Sequence, residues 1–318
     1  MPELVSVIMS AYDAARYIGE AIESVLAQTH REFEFIIVDD GSTDGTLAIA
    51  REWASRDPRI RVIEQANAGM GAALNRALSL ATSELIVRLD ADDVMRADRI
   101  ERQLAFLGER PSLALAASFI EYLDDRGRPC GGVTSRLVTE EAVRRRVTED
   151  DLIGLYHSSV IMRRSAVLAV GGYRPQFWPA DDIDLWNRLV EKGDGLLVQP
   201  EYLTRYRIHG RSASLTSLRQ ALMKTAWVKA CMRSRRRGLP EPTEAEFLAT
   251  RRAQPWQRRA DRWRKDTARI LFKKAGLHWA ERRIGPLVLA LVAASLLEPG
   301  YVVAKSSDKR LSPRAAAF

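Results

Sequence analysis

The chain has 318 residues, 46% of them hydrophobic and 28% charged, with 49 Lys and Arg against 41 Asp and Glu for a net charge of +8. That apolar content excludes wholesale disorder, and 19 Gly with 13 Pro exclude a collagen-like or Pro-rich repeat. Cys130 and Cys231 stand far apart without a CxxC partner, which argues against structural zinc or a disulfide scaffold and for a reducing compartment.

The first residues carry an acid and no basic run, so no signal peptide is expected. Charge is divided unevenly along the chain. Residues 1–214 hold 26 Lys and Arg against 33 Asp and Glu, a net of −7; residues 215–318 hold 23 against 8, a net of +15. A change of that size at one point predicts two parts with different partners, a domain over 1–214 and a basic helical region over 215–318.

In chain order, residues 5–9 read as a strand and 14–27 as a helix with Ile18, Ile22, Val25 and Leu26 on one face. Residues 35–38 form a second strand, 43–53 a helix, 61–63 a third strand, 71–80 a helix and 85–89 a fourth strand. Such alternation predicts an α/β fold, a mostly parallel sheet flanked by helices. Ligands bind such sheets beyond the carboxyl ends of their strands. Those ends are polar here: Ser10-Ala11-Tyr12-Asp13, Asp39-Asp40-Gly41-Ser42, Asn67-Ala68-Gly69 and Asp90-Ala91-Asp92-Asp93. Helix capping is the competing reading, with Ser42 or Thr43 expected to cap the next helix. Four polar ends in register favour a ligand site.

Three carboxylates within Asp90–Asp93 repel one another unless a cation compensates, and hard oxygen ligands suit Mg²⁺ or Mn²⁺. The alternative is a solvated turn with Asp93 or Asp98 capping the following helix. A second acidic cluster, Asp181-Asp182-Ile183-Asp184, opens a helical pattern. There the helix dipole favours negative charge, and a carboxylate there can also serve as a general base.

Beyond Ser214 a helix over 215–237 is stopped by Gly238-Leu239-Pro240, and Thr243-Glu244-Ala245-Glu246 is a capping box for the next. Residues 256–275 form a basic amphipathic helix with Trp256 and Trp263 on its apolar face. That pattern suits an anionic membrane surface, or a Trp stripe packed on the first domain. The predominantly apolar run of eleven residues, 287–297, falls short of the ~20 that a spanning helix needs. It predicts a helix buried in the protein, in a dimer interface or in a membrane surface. No nucleic-acid-binding module accompanies the positive charge.

The ordered motifs resemble family 2 glycosyltransferases of the GT-A fold. They are Val5–Asp13, Ser24–Thr29, Ile37–Thr46, Asn67-Ala68-Gly69, Asn75–Leu78, Leu89–Asp93, Gly171-Gly172-Tyr173, Asp181–Trp186 and Tyr206–His209. The resemblance covers about residues 4–214. It implies an inverting transferase that moves a sugar from a nucleoside diphosphate sugar, UDP-sugar favoured, to a hydroxyl of a saccharide or lipid-linked saccharide. It implies that Ser10, Ala11, Tyr12, Asp13, Asp40, Asn67, Gly69, Asp90, Ala91 and Arg207 contact the nucleotide sugar. Asp92, Asp93 and His209 would hold Mn²⁺ or Mg²⁺, and Asp182 would be the catalytic base. Ser10-Ala11-Tyr12-Asp13 departs from the family's usual Pro-x-Tyr-Asn. The expected setting is surface polysaccharide or glycoconjugate synthesis, at a cytoplasmic location with peripheral contact to the inner membrane face, without nucleic acid. The competing readings are an inactive sugar-nucleotide-binding protein and a nucleic-acid-binding protein.

Overall fold

The computed structural model describes residues 3–212, 216–306 and 311–312. The chain divides into two compact units, Met1–Glu121 with Thr134–Tyr206, and Tyr122–Val133 with Arg207–Phe318. The boundary expected at Ser214 falls outside the described residues.

In the first unit β1 (Val5–Ala11), β2 (Phe33–Asp39), β3 (Ile60–Glu64) and β4 (Leu85–Arg88) are parallel, ordered β4-β1-β2-β3. Val7 lies between Phe35 on one side and Val87 on the other. These strands read as near-continuous apolar runs because helices cover both faces, so there is no wet face to impose alternation. Past β4 the sheet turns antiparallel. β8 (Ile161–Arg163) pairs with β4 and with β6 (Leu113–Leu123), and the short β5 (Val94–Met95) pairs with β9 (Gly195–Arg207). The parallel half therefore aims four strand ends at one edge, and the antiparallel half extends the sheet beyond β4.

α1 (Ile18–Leu26), α2 (Thr46–Arg56), α3 (Met70–Leu80), α4 (Arg99–Gly108), α5 (Glu140–Thr148), α6 (Arg164–Ala169) and α7 (Asp181–Lys192) complete this unit. α2 starts three residues later than its apolar spacing suggests, and neither Ser42 nor Thr43 caps it. Gly45 is the cap residue, with no side-chain bond. Ser42 Oγ instead accepts from Asp13 N at 3.1 Å, and Thr43 N donates to Asp13 Oδ1 at 2.8 Å. The residues that would cap the helix stitch two loops together. Asp98 likewise precedes α4 without capping it and pairs with Arg96 and Arg102.

In the second unit β7 (Pro129–Val133) pairs antiparallel with β10 (Leu311–Ser312). α8 (Leu218–Arg236) ends at Gly238, whose φ of 68° lets Leu239 N close back on Ser234 O at 2.9 Å. α9 (Glu244–Ala253) begins with the expected capping box, Thr243 and Glu246 bonding reciprocally. α10 (Trp256–Ala280), α11 (Ile284–Leu297) and α12 (Pro299–Ser306) follow. The tryptophan stripe of α10 is not packed away: Trp256 and Trp263 are mostly exposed.

Candidate active site

Backbone geometry at the strand ends sets the floor of the site. Asp13 has φ 47°, in the left-handed region that Asp and Asn tolerate best. An Asp therefore serves where the related motif carries Asn. Tyr12 is exposed and Ala11 buried, so of these two it is Tyr12 that a ligand can reach by its side chain. Gly41 has φ 75°, and a Cβ there would lie 2.8 Å from Asn67 N, so only glycine permits the approach of the β2 and β3 loops.

Asp40 organises that approach. Its Oδ1 accepts from Gln65 Nε2 at 2.7 Å and Ala68 N at 2.9 Å, and its Oδ2 accepts from Gly69 N at 2.8 Å. A carboxylate has about four acceptor positions, so one on Oδ2 is left beyond these three bonds. Asp40 thus holds the Asn67-Ala68-Gly69 loop, whose exposed Asn67 borders the site.

At the end of β4 Asp90, Asp92 and Asp93 bring carboxylate oxygens within 4.8 Å of one another. Asp90 N donates to Ser158 Oγ at 2.9 Å, fixing the turn. Asp90 is ion-paired with Arg88, a guanidinium with no solvent exposure. Burial raises the Asp90 carboxyl, and the Arg88 charge counters it. A second buried arginine, Arg99, donates to Ser158 O at 2.7 Å and to Arg88 O and Val160 O at 3.1 Å. The donor set fits a hard divalent cation: three oxygens converge, one already neutralised by Arg88, with Asp92 and Asp93 beside it.

α7 supplies the opposite carboxylates. Asp181 is buried, and its Oδ2 accepts no hydrogen bond. That oxygen lies 2.8 Å from where a Cβ on Gly71 would stand, so the lack of a side chain in the first turn of α3 makes room for it. Burial pushes Asp181 up to about 6. Asp182 is half-buried, and Ile183 N donates to its Oδ1 at 2.7 Å. Burial, and then the charge of Asp181, push Asp182 up to about 7. Asp184 turns inward, paired with Arg174 at 2.5 Å and Arg188 at 2.8 Å, and is a structural residue.

Between the two acidic groups lies a buried polar chain that joins Tyr173 and Asn75, from two separate motifs, to His157, which belongs to none. His157 Nε2 and Tyr173 OH are hydrogen-bonded at 2.7 Å, and the imidazole meets the Trp186 ring edge-on at 5.7 Å. Burial and the Arg88 charge keep His157 neutral. Asn75 on α3 clamps the Tyr173 peptide, donating to its O and accepting from its N, both at 2.8 Å. Arg88 stands within electrostatic reach of Asp90, Asp93, Tyr173, Asp181 and Asp182.

The first unit therefore contains Ser10, Ala11, Tyr12, Asp13, Asp40, Asn67, Gly69, Asp90, Ala91, Asp92, Asp93 and Asp182. Arg207 and His209 belong to the second unit. There Arg207 Nη1 donates to Asp124 O at 3.4 Å, and His209 O accepts from Ser212 N at 3.0 Å. Arg88, Arg99 and His157 carry no assignment from sequence. A charged residue inside the apolar run of β4 was the available signal for Arg88.

Residues 6–171, more than half of the chain, match the profile of glycosyl transferase family 2. The chain belongs to that family. As a family 2 glycosyltransferase it is similar to TuaG of Bacillus subtilis (strain 168), named for teichuronic acid biosynthesis. The two are 31% identical over 228 residues, 70% of this chain and 86% of TuaG. In fold it is similar to the mannosyltransferase PcManGT from Pyrobaculum calidifontis, solved with GDP-Man and Mn²⁺, at a TM-score of 0.57 and 21% identity, covering 95% of this chain and 80% of that one. S. aureus TarS, solved with UDP, superimposes at a TM-score of 0.53 and 17% identity over 93% of this chain and 91% of that one. These likenesses establish the GT-A fold for this family 2 glycosyltransferase.

Proposed function

We propose that this family 2 glycosyltransferase transfers a hexosyl unit from a nucleoside diphosphate sugar, UDP-sugar favoured, to a hydroxyl of a saccharide or lipid-linked saccharide, with inversion. The setting is the assembly of a surface polysaccharide or glycoconjugate. The carrying observation is Asp182: a half-buried carboxylate at the first turn of α7, pushed up to about 7 and within electrostatic reach of Asp90. A general base works best when its pKa lies near the working pH. TuaG supports the polysaccharide setting, TarS with UDP the donor class, and PcManGT with Mn²⁺ the cation.

In the mechanism, Tyr12, Asp13 and the Asp40-held loop receive the base, and Asp90 faces the ribose or sugar. Asp92 and Asp93 would hold the cation. A Mn²⁺ or Mg²⁺ held there would supply Lewis-acid neutralisation of the charge on the leaving diphosphate. Asp182 accepts the proton of the attacking acceptor hydroxyl as the new glycosidic bond forms. Attack from the face opposite the leaving group, with one base and no covalent enzyme intermediate, inverts the anomeric carbon. Arg88 fixes the Asp90 carboxylate and moderates the repulsion among the four neighbouring acids.

The test is nucleoside diphosphate release from a panel of UDP- and GDP-sugars by the purified chain, with Mn²⁺ and mono- or lipid-linked saccharide acceptors. The product's anomeric configuration is then read by NMR. Turnover with a retained configuration sinks the inverting mechanism. Binding of every donor without turnover on any acceptor sinks the enzyme reading in favour of a sugar-nucleotide-binding protein.

A further inference from the structure

The helices that close the second unit carry a surface that glycosyl transfer does not explain. α11 has no charged residue along its 14 positions. Its small residues Ala290 and Ala294 are buried, α10 packs against it, and Arg264 on α10 donates to Leu297 O and pairs with Glu298 at 2.5 Å. The other face is open. Ile284 is 73% exposed, Leu289 72% and Leu296 82%, with Val288 and Val292 about half exposed between them, and Val303 continues the exposure on α12. Spacings of four, one, three and four put these residues on one face of a helix. A single exposed Leu is ordinary; a continuous row marks an interaction surface.

Charge around the row narrows the partner. Residues 256–306 hold 11 Lys and Arg against 4 Asp and Glu. All four acids are engaged: Asp261 with Arg264 and Lys265, Asp266 with Arg251 and Arg269, Glu281 with Arg283, Glu298 with Arg264. The surplus is therefore positive. The turn between α10 and α11 sharpens it. Arg282 adopts φ 57°, a conformation that glycine takes without strain, while Arg282 N and Arg283 N close onto Trp279 O at 3.0 Å and His278 O at 2.8 Å. Two exposed guanidiniums and the exposed Trp279 thus stand at the head of the apolar row.

We propose that α11 and α12 lie in the plane of an anionic lipid surface, with the row Ile284, Val288, Leu289, Val292, Leu296 and Val303 inserted and Arg282 and Arg283 at the headgroups. About 21 Å of helix from 14 residues is too short to span a ~30 Å hydrocarbon core, and among the described residues no helix is long and apolar enough to cross a membrane. An apolar row flanked by cations is the pattern of an interfacial helix. A second copy is disfavoured as occupant, since a two-fold interface would bring the same cationic surface to both sides. The inference deepens the lipid-linked acceptor reading, because such an acceptor is met at this surface.

The test sediments the full-length protein with vesicles of phosphatidylcholine, and with vesicles in which part of it is replaced by phosphatidylglycerol. The expected result is partition to the phosphatidylglycerol vesicles, weakening as salt is added. Leu289→Ser with Leu296→Ser lowers that partition by about tenfold or more. Arg282→Gln with Arg283→Gln lowers it by about tenfold on phosphatidylglycerol and little on phosphatidylcholine. All these residues are exposed and belong to the second unit, whereas the carboxylates belong to the first, so each variant is expected to release nucleoside diphosphate from soluble donor at the parent rate. Vesicle binding and donor chemistry can therefore fail separately. The proposal is overturned if the parent stays in the supernatant with both vesicles, or if the serine variant sediments like the parent. It is also overturned if the serine variant turns a dimer into a monomer while vesicle binding is unchanged, which assigns the row to a second copy.

Discussion

Asp182 and Asp181 are adjacent carboxylates with different consequences. Asp182 keeps partial access to solvent, whereas Asp181 is sealed against Gly71. Asp182→Asn is expected to lower kcat by ~10²–10⁴-fold, the usual contribution of a general base, while the donor dissociation constant stays unchanged. Calorimetric donor titration beside turnover assays checks the split; parent-like turnover in the Asn variant removes Asp182 from the mechanism. Only the ionised base accepts a proton. The parent's kcat should therefore rise about tenfold per pH unit below about 7 and level off above it, given a carboxyl pushed up to about 7. Asp181 makes a stability prediction of its own. Its folded value of about 6 exceeds the unfolded 3.8, so the folded state binds the proton more tightly. Stability falls as pH rises from about 4 to about 6, by up to ~3 kcal/mol, and the deficit persists above that window. Asp181→Asn, neutral at every pH, should raise Tm at pH 8 and change it little near pH 4. An equal shift at both values removes burial of the charge as the cause.

At the level of elements, the junction of α3 and α7 holds the site in register. Asn75 clamps the peptide of Tyr173 across 98 residues of sequence, and Tyr173 in turn bonds His157. Asn75→Ala leaves a buried N–H and C=O unsatisfied. It is expected to cost ~1–3 kcal/mol each before water enters, read as a lower urea midpoint with a parallel loss of kcat. A variant that melts and turns over like the parent shows that the clamp organises nothing. The same elements show how far sequence reaches. β1, β2 and β4 were legible because strands covered on both faces read as near-continuous apolar runs, and the strand-end motifs were legible because their loops are local. The start of α2 was not, because Thr43 satisfies Asp13 rather than its own helix. The link among Arg88, Tyr173 and His157 was invisible for a related reason: Tyr173 stands in a motif, but the three meet only through the tertiary fold. α11 hid a third kind of information. In a run apolar at almost every position, no periodicity distinguishes the residues packed on α10 from those left open.

Across the molecule, the division of charge into −7 and +15 becomes a statement about ligands. The acidic part gathers Asp90, Asp92, Asp93, Asp181 and Asp182 near one another, yet the donor proposed for it is itself an anion. Arg88 and Arg99 are buried and already engaged with Asp90 and with backbone carbonyls, so they cannot also neutralise a diphosphate. Donor and divalent cation should then bind as a linked pair, each raising the other's affinity by the same factor. A ligand bound to the native state at about 100 times its dissociation constant stabilises by ~2.7 kcal/mol, which in a domain of about 200 residues raises Tm by roughly 5–10 °C. Thermal unfolding with UDP-sugar alone, Mn²⁺ alone and both together is expected to show small shifts for the single ligands and the full shift only for the pair, reversed by EDTA. An undiminished UDP-sugar shift in EDTA sinks the linkage, because it means that cationic side chains, and not a metal held by Asp92 and Asp93, balance the diphosphate.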